Sequence, residues 1–531
     1  MDSRTSGVRF FVYFCVMVAS LGALNSGFNT SSLNIPGNSV RYCPGVPAGE
    51  VTYYATSSLP QCLPMGDWIW GVATGMFAVG GLVGALLANP MANHFGRRDA
   101  MIIINVAFFI GAVLLSTSTS SAQFAIGRIF VGIGSGFMTV VISMYIAECA
   151  PPSARGALGS FLQLFMTIGI LIIECIGLGL TSAIGWRVVV VITVAPAIAQ
   201  MVLLPFCARS PRWLITQNRI DEARAELLRL RNGDIEEEFA DIMLGLSKGG
   251  GAEKKAAPTN AAGPTATDAS SPHIEDDGFN HNGIDRDSAI DREAAGAAEP
   301  YESEVNLTFL QVMSIPVLAW LTFKMMIVHA SSQLTGINAI MYYSTSIFEE
   351  SFGDSARYVT IGVGALNMGM TFIALGLIDR LGRKMLLMIS AAGMCIFAVL
   401  MTIGLRFDIS PLQVVCIMLF VASFAVGLGM IPFVLTAEVY PTYAVGAASS
   451  SALVVNWLCN FIIGLIFPTL QKACGPYVFL IFAGLSFAAF FFIMFFILET
   501  KRKSIEEVGR HLGWYGISPE IIMKKAEKSI I

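Results

Sequence analysis

The feature that most constrains this chain is a series of twelve long apolar stretches. A helix needs about 20 mostly apolar residues to cross a bilayer, and a helix satisfies its own backbone hydrogen bonds where no water is available. The 531 residues are 55% hydrophobic and 13% charged, whereas soluble domains are about 25% charged. We therefore expect an all-α membrane protein with twelve transmembrane helices. The stretches lie near 10–30, 69–91, 100–118, 123–146, 157–180, 186–207, 315–347, 356–378, 385–405, 412–437, 445–469 and 476–498.

Positive charge is concentrated in alternate connections between these stretches, and the opposite connections mostly carry one Arg or Lys each. Because positively charged loops stay in the cytoplasm, the basic set is expected to be cytoplasmic. Both termini are then cytoplasmic, which agrees with an even number of crossings. The apolar run that begins near Phe10 is interpreted as the first crossing rather than a signal peptide. The basic set includes Arg97, Arg98, Arg155, Arg380, Arg383, Lys384, Lys501, Arg502 and Lys503.

The apolar stretches fall into two groups of six, separated by a long polar segment. Its first part mixes Glu, Arg and Leu at helical spacing, which predicts short amphipathic helices to about residue 246. Residues from about 248 to 304 are rich in Ala, Gly, Ser, Pro and Asp, which predicts a disordered linker, either an inert spacer or a phosphorylated segment. The expected divisions are a bundle over 1–207, a cytoplasmic loop over 208–314, a second bundle over 315–498 and a cytoplasmic tail over 499–531.

Two motifs occur once in each half. Phe95-Gly96-Arg97-Arg98 is matched by Leu381-Gly382-Arg383-Lys384, and Ala147-Glu148-x-x-Pro151 is matched by Ala437-Glu438-x-x-Pro441. Both motifs are displaced by nearly the same number of positions, which a simple charged turn does not explain. The pattern predicts two six-helix repeats in parallel, an arrangement that resembles major facilitator transporters. Such a fold places a site between the halves that opens alternately to each side.

Polar side chains inside the apolar stretches mark candidate site residues, since they are costly in lipid unless they have partners. Gln333 and Asn338 flank Gly336, where a helix can bend or break. The other amides are Gln163, Asn367, Asn456 and Asn460, with Asn25, Asn29 and Asn34 in the first stretch. Each amide either joins helices or contacts a ligand. Because an amide both donates and accepts, the set favours a neutral polar solute. Phe433 and Trp457 provide aromatic surface beside the amides.

The segment Gln333-Leu334-Thr335-Gly336-Ile337-Asn338, followed by Tyr342-Tyr343-Ser344, resembles the sugar porter family. It is most similar to the animal facilitative glucose transporters and their fungal relatives. The resemblance implies hexose transport by alternating access, with glucose or a related monosaccharide as the substrate. It departs from the family at Ser332, Ala425 and Phe433, which leaves another hexose or a polyol open. The implied substrate-binding residues are Gln163, Gln333, Asn338, Asn367, Phe433 and Asn456.

The resemblance also implies a network of charges that gates the cytoplasmic side. Charged groups of this kind pair across the cytoplasmic face when the opposite side is open. The expected members are Arg97, Arg98, Arg128, Glu148, Arg155, Arg212, Arg383, Glu438 and Glu499.

The coupling mode depends on two residues. Proton-driven sugar porters carry an Asp where this chain has Asn29, which cannot carry a proton, so the resemblance implies facilitated uniport. Glu174 is an ionisable residue in the fifth stretch and leaves proton symport of a sugar or polyol open. Its alternative role is that of a wet rim residue whose carboxylate reaches the interface. A non-transporting sugar sensor is a third alternative, disfavoured because only about thirty residues follow Thr500.

The remaining expectations concern cysteines, ligands and location. Cys43 and Cys62 lie in the first exoplasmic loop, where a disulfide can form. The sequons at Asn29 and Asn306 lie in a crossing and in the cytoplasm, so we expect no N-glycan. No metal or cofactor motif, nucleophile–base pair or basic nucleic-acid surface appears, which argues against an enzyme and against nucleic acid as a partner. The expected partners are a monosaccharide and the lipid bilayer, in the plasma membrane or alternatively the vacuole, with the oligomeric state left open.

Overall fold

The structure is a computed structural model, and it describes residues 8–248 and 307–515 apart from 44, 48, 56, 152, 153, 502 and 504. The linker expected at about 248–304, the sequon at Asn306 and the last residues of the tail lie outside the described residues. Within the described part the chain is helical, and its pairing of extended backbone is one isolated bridge between Tyr53 and Pro60.

Twelve helical crossings confirm the expected all-α membrane architecture. Ten helical stretches of the described chain are long and apolar enough to cross a membrane, and one of these, Ala444–Phe496, contains two crossings joined by a short turn. The seventh crossing is a broken helix outside those ten. We number the crossings span 1 to span 12: Phe10–Ser31, Asp67–Phe95, Arg97–Ser116, Ser121–Cys149, Arg155–Gly159 with Phe161–Leu178, Gly185–Ile192 with Ala195–Leu203, Pro316–Leu334 with Ile337–Phe352, Ala356–Leu381, Arg383–Arg406, Ser410–Val426 with Ile431–Val439, Thr442–Cys474 and Val478–Phe496.

Shorter helices lie at the ends of the bundle, and three of them follow span 6. Trp213, Leu227 and Phe239 form a small apolar cluster that holds these three together. Arg231 pairs with Glu238 at 2.8 Å and donates to the carbonyl of Cys149 at 2.8 Å, which fixes the cluster against the end of span 4. The short α-helices are Gly37–Arg41, Pro211–Thr216, Ile220–Leu230, Glu236–Lys248, Phe309–Ser314 and Ile505–Leu512.

The outer surface of the bundle carries large apolar side chains along its spans. Val113 of span 3, Phe372 of span 8 and Phe495 of span 12 are 60%, 51% and 70% exposed. Such side chains would be unfavourable in water, and hydrocarbon is the solvent they match.

Spans 2 and 4 contact each other backbone to backbone through glycine. A Cβ added at Gly80 would lie 2.0 Å from the carbonyl oxygen of Ile129, and one added at Gly84 would lie 2.0 Å from that of Ile133. Gly136 faces span 2 in the same way, at 1.9 Å from the carbonyl oxygen of Gly81. Because apolar side chains gain little over lipid, small residues that allow close packing hold such helices together.

The two six-helix halves meet along a seam whose ends differ. At one end, the "disulfide end", Cys43 and Cys62 form a disulfide between spans 1 and 2. At the other, the "arginine end", Gly96 and Gly382 precede the arginines of the repeated motif. Most hydrogen bonds that cross the seam in the described chain lie near the disulfide end, whereas Asn89 and Ser450 meet near the arginine end at 2.9 Å. The disulfide end is therefore shut. The seam contacts near it join Ser31 with Met341, Asn34 with Ser344, Asn38 with Glu349, Asp67 with Lys472 and Thr181 with Arg357.

Candidate functional site

A cavity of about 110 Å³ lies on the seam between the two halves. It is lined by spans 1, 2, 4 and 5 of the first half and by spans 7, 8, 10 and 11 of the second. The structure brings together in its wall all six residues expected to contact a substrate: Gln163, Gln333, Asn338, Asn367, Phe433 and Asn456.

The break in span 7 places two of these amides side by side. Its first helix ends at Leu334 and its second begins at Ile337, with Gly336 between them at a φ of 98°. Side chains strongly disfavour this left-handed conformation, and a Cβ at Gly336 would lie 2.6 Å from the ring of Phe482. A glycine is therefore required at this position. The break brings the side chain of Asn338 back to Gln333, whose Oε1 accepts a hydrogen bond from Nδ2 of Asn338.

Further hydrogen bonds join these amides to span 11. Nε2 of Gln333 donates to Oδ1 of Asn456 at 3.2 Å, and Nδ2 of Asn456 donates to the carbonyl oxygen of His329 at 3.2 Å. His329 is itself buried and its Nε2 lies 3.0 Å from Oγ1 of Thr436. The amides are thus held in place before a ligand arrives, which lowers the entropic cost of binding.

Asn367 differs from the other amides because its acceptor has no partner. The residue is 4% exposed, and its Oδ1 makes no hydrogen bond within the described chain. Leaving a buried acceptor unpaired is unfavourable by about 1–3 kcal/mol. A ligand hydroxyl that reached this oxygen would remove that cost, and Gln163 supplies a further amide from the first half.

The lining of the cavity is neutral, and much of its apolar part is aromatic. The described residues that line it include Phe77, Phe433 and Trp457, and none of them is Asp, Glu, Lys, Arg or His. Phe77 and Trp457 pack edge to face with ring centroids 5.9 Å apart. Amides with aromatic rings suit a neutral molecule that has hydroxyls on its rim and C–H groups on its faces.

The three departures from the family pattern occupy different places. Phe433 lines the cavity and packs on His329 at 5.1 Å between ring centroids. Ser332 also lines it, but its hydroxyl donates to the carbonyl of Leu428 at 2.8 Å. Ala425 is buried and is not among the lining residues. Phe433 is therefore the departure placed to affect substrate choice most directly.

Glu174 is not the wet rim residue that one sequence interpretation allowed. Its side chain is buried at the seam, with the residue 2% exposed. Oγ of Ser31 donates to its Oε1 at 2.5 Å, and Nδ2 of Asn34 lies 3.3 Å from the same oxygen. Its Oε2 has no hydrogen-bond partner in the described chain and faces Gly364 of the second half. The shut end of the seam covers this carboxylate, so it cannot reach the interface.

Arg128 does not belong with the gate charges, contrary to the expectation from sequence. It lies two turns from the start of span 4, about 30 Å from the arginine end at 1.5 Å per residue. Its guanidinium donates to the carbonyl of Asn29 at 2.8 Å and lies 4.7 Å from the centroid of the Phe77 ring. Span 4 begins at the disulfide end and ends at the arginine end, so Arg128 near its beginning is remote from Glu148.

At the arginine end, the two halves contain matching ion-pair clusters. In the first half, Arg97 pairs with Glu148 at 2.9 Å, and Oγ of Ser210 donates to Glu148 at 2.5 Å. The second half repeats this arrangement: Arg383 pairs with Glu438 at 2.9 Å, and Oγ1 of Thr500 donates to Glu438 at 2.6 Å. Each pair lies within one half in this state.

The other expected gate residues have separate roles. Glu499 accepts backbone N–H groups of Arg383 at 2.9 Å and Lys384 at 3.1 Å. Arg98 pairs with Asp99 at 2.8 Å. Arg212 is exposed and forms no ion pair within the described chain. The side chain of Arg155 lies outside the described residues.

Thr30 and Thr139 line the cavity but were missed by the sequence analysis. Thr139 lies in span 4 between Ser135 and Ser143, four residues from each, and this polar row at helical spacing was the available signal. Thr30 lies in the first apolar stretch, and nothing in the sequence separated it from its neighbours.

Comparison with known proteins agrees with this architecture. The family model described as "Sugar (and other) transporter" matches residues 14–260 and 279–512. The human facilitated glucose transporter member 4 of solute carrier family 2 is 32% identical over 512 residues, covering 93% of this chain and 89% of that protein. The chicken member 1 is 32% identical over 511 residues, covering 94% and 93%.

Among solved structures, the fold is similar to that of the xylose transporter XylE from E. coli. Its partially occluded inward-open conformation matches with a TM-score of 0.69 at 23% identity, covering 93% of this chain and 100% of that one. The same transporter bound to 6-bromo-6-deoxy-D-glucose also matches with a TM-score of 0.69, covering 94% and 99%.

Proposed function

We infer that this chain, which belongs to the sugar transporter family, carries a hexose across a membrane by alternating access. The observation that carries the proposal is the neutral, amide-rich cavity that both halves share on the seam. A solute bound there contacts spans of both halves at once. Closing the halves around it at one end, or at the other, then changes the side from which it is reached.

The chemistry of the wall favours a monosaccharide, glucose or a close relative. Gln333, Asn338 and Asn456 offer linked donors and acceptors, and Asn367 offers an unpaired one. The curated relatives are facilitated glucose transporters by name. Phe433 adds apolar surface to the wall, so the discrimination between hexoses is expected to depend on it.

We assign this structure to the inward-facing conformation of the transport cycle. The positive-inside rule places the arginine end and both termini in the cytoplasm, and the disulfide end outside the cell or in an organelle lumen. The plasma membrane is the location we propose, with the vacuolar membrane as the alternative. To face outward, the protein must separate Asn34 from Ser344 and Ser31 from Met341, and must close the arginine end.

Facilitated uniport is the coupling mode we propose, because Asn29 cannot carry a proton. The burial of Glu174 favours one competing mode, proton symport, since a buried carboxylate on the seam would meet water whenever the disulfide end opens.

Uptake into proteoliposomes tests both the transport of a hexose and the coupling mode. Purified full-length protein is reconstituted alone, and entry of labelled D-glucose is followed with no pH gradient or membrane potential, then with an inward proton gradient. Equilibration without a gradient, unchanged when one is imposed, supports a facilitator. Accumulation that requires the gradient refutes uniport and makes Glu174 the first residue to test as the proton carrier. If no glucose enters, the same assay with other hexoses and polyols identifies the substrate, and failure with all of them overturns the transport proposal.

A further inference from the structure

A second concave surface lies on the outside of the bundle near the arginine end. It is a groove of about 290 Å³, lined by Pro316, Val317, Trp320, Leu321 and Lys324 of span 7 and by Leu512 of the helix Ile505–Leu512. None of these residues lines the cavity on the seam. We call it the span 7 groove.

The span 7 groove faces the surroundings of the bundle rather than its core. Trp320 is 49% exposed and its neighbour Phe323 is 48% exposed, and the two rings stack with centroids 5.6 Å apart. Tryptophan of this kind is enriched where lipid headgroups meet hydrocarbon. The wall of the groove is otherwise aliphatic, which suits acyl chains.

Lys324 is the charged residue in this wall. Its ammonium lies 5.5 Å from the centroid of the Trp320 ring, and the described residues give it no carboxylate partner. It lies about 12 Å along the helix from Pro316 at 1.5 Å per residue, and its Nζ reaches back toward Trp320 and the arginine end. A lysine that reaches in this way places its charge at headgroup level. An ammonium so close to hydrocarbon is unfavourable without a counter-charge.

The other wall is formed by Leu512 of the helix Ile505–Leu512. Arg510 lies two residues before Leu512, with its guanidinium 5.5 Å from the centroid of the Tyr515 ring, and the helix also carries Glu506 and Glu507. This helix is anchored to the bundle because Nε1 of the buried Trp514 donates to the carbonyl of Val439 at 3.0 Å. The groove therefore combines an apolar floor, held in place by this anchor, with the ammonium of Lys324.

We propose that the span 7 groove binds a phospholipid with an anionic headgroup. Lys324 contacts the phosphate, and Val317, Trp320 and Leu512 contact the acyl chains. Basic pockets beside transmembrane helices select anionic headgroups by this combination of charge and apolar surface. The proposal rests on the chain crossing a membrane and does not depend on which sugar it carries.

Lipid retention tests the proposal without measuring transport. The full-length protein is purified from nanodiscs of phosphatidylcholine with phosphatidylserine, and the lipids it retains are identified by native mass spectrometry. Both leaflets contain both lipids, so the result does not depend on orientation. We expect selective retention of phosphatidylserine by the wild type and by Lys324→Arg, and about fivefold weaker retention by Lys324→Met, as one basic residue contributes near an anionic surface. Lys472→Met, which removes the same charge at the disulfide end, is the matched control and should behave as the wild type.

Three results would overturn the proposal: equal retention of phosphatidylcholine, undiminished retention by Lys324→Met, or displacement of the lipid by inorganic phosphate, which would make this a site for a soluble anion. A measurement on the wild type guards against misfolding of the variant. Phosphatidylserine with a photoreactive acyl chain should label peptides that contain residues 316–324, and labelling confined to other spans would contradict the assignment.

Discussion

Nε2 of Gln333 lies 3.2 Å from Oδ1 of Asn456, and this hydrogen bond joins span 7 to span 11 in the wall of the cavity. Both residues are at most 9% exposed. The pair therefore couples the broken helix of the second half to the surface that a substrate contacts.

Replacement of Asn456 should weaken both this contact and sugar binding. For Asn456→Ala we expect KM for the transported hexose to rise about tenfold, since loss of a hydrogen bond and the unpaired Gln333 amide together are worth roughly 1–2 kcal/mol. Initial uptake rates in proteoliposomes measure KM. The matched control is Asn105→Ala, a buried amide that bonds Gln200 within the first half at 2.9 Å. An unchanged KM in Asn456→Ala would remove this residue from the site.

Asn367 should respond to a different substitution, because its Oδ1 has no partner without ligand. We expect Asn367→Leu to leave thermal stability unchanged or higher, since a buried unsatisfied acceptor is removed. Hexose affinity should fall about tenfold. Thermal unfolding with and without sugar measures both effects, and a variant that lost stability but kept its affinity would contradict a ligand role.

Gly336→Ala should destabilise the protein and impair uptake. The φ of 98° is strained for alanine by about 1–2 kcal/mol, and the new Cβ would meet the Phe482 ring. The comparison is Gly369→Ala in span 8, where a Cβ would meet nothing within 4 Å. Unfolding temperatures in detergent compare the two variants. Equal temperatures would mean that span 7 can form without its break.

The role of the buried Glu174 carboxylate can be tested with replacements that differ in shape and polarity. Glu174→Gln keeps an oxygen that accepts from Ser31, so we expect uptake without a proton gradient to continue. Glu174→Leu leaves Ser31 and Asn34 without this partner and should weaken the shut state of the seam. Accessibility of a cysteine introduced at Ser344 to an impermeant thiol reagent measures this state, with the same cysteine in the otherwise wild-type chain as reference. Loss of all uptake in Glu174→Gln would favour proton coupling.

The ion-pair clusters of the arginine end should differ in strength. The side chain of Glu148 is 10% exposed and that of Glu438 is 29% exposed, so water weakens the second pair more. Double-mutant cycles on the free energy of unfolding can combine Arg97→Met with Glu148→Gln, and Arg383→Met with Glu438→Gln. We expect coupling free energies of about 1–3 kcal/mol for the pair in the first half and a smaller value for the pair in the second. A larger coupling in the second half would contradict this order.

Much of this architecture followed from the sequence because it depends on local patterns. The length of each apolar stretch set the crossings, and the repeated Gly-Arg motif indicated two halves. The amides of the cavity were found because a polar residue inside an apolar run is conspicuous. Gly336 marked the break between the two amides, because glycine adopts a left-handed backbone far more readily than residues that have a side chain.

The remaining features depend on which elements pack together, and sequence does not contain that directly. Arg128 was grouped with the gate by the family resemblance, although its place near the start of the fourth stretch already separated it from Glu148. Glu174 looked like a rim residue because the closure of the seam over it involves Gly364, nearly two hundred positions away. Thr139 was one hydroxyl among several on its helix, and only its neighbours in space distinguish it.

The direct backbone contact of spans 2 and 4 has a mechanical consequence. At Gly80 and Gly84 no side chain separates the two backbones, so we expect spans 2 and 4 to move together as one rigid pair. The second half contains the interruptions at Gly336 and at Gly427–Met430. Spans 5 and 6 of the first half are also interrupted, but Ser160, Thr193 and Val194 keep a right-handed helical backbone there, whereas Gly336 and Gly427 do not. We therefore expect deformation during the cycle to be concentrated in spans 7 and 10, with spans 2 and 4 as the stiff frame.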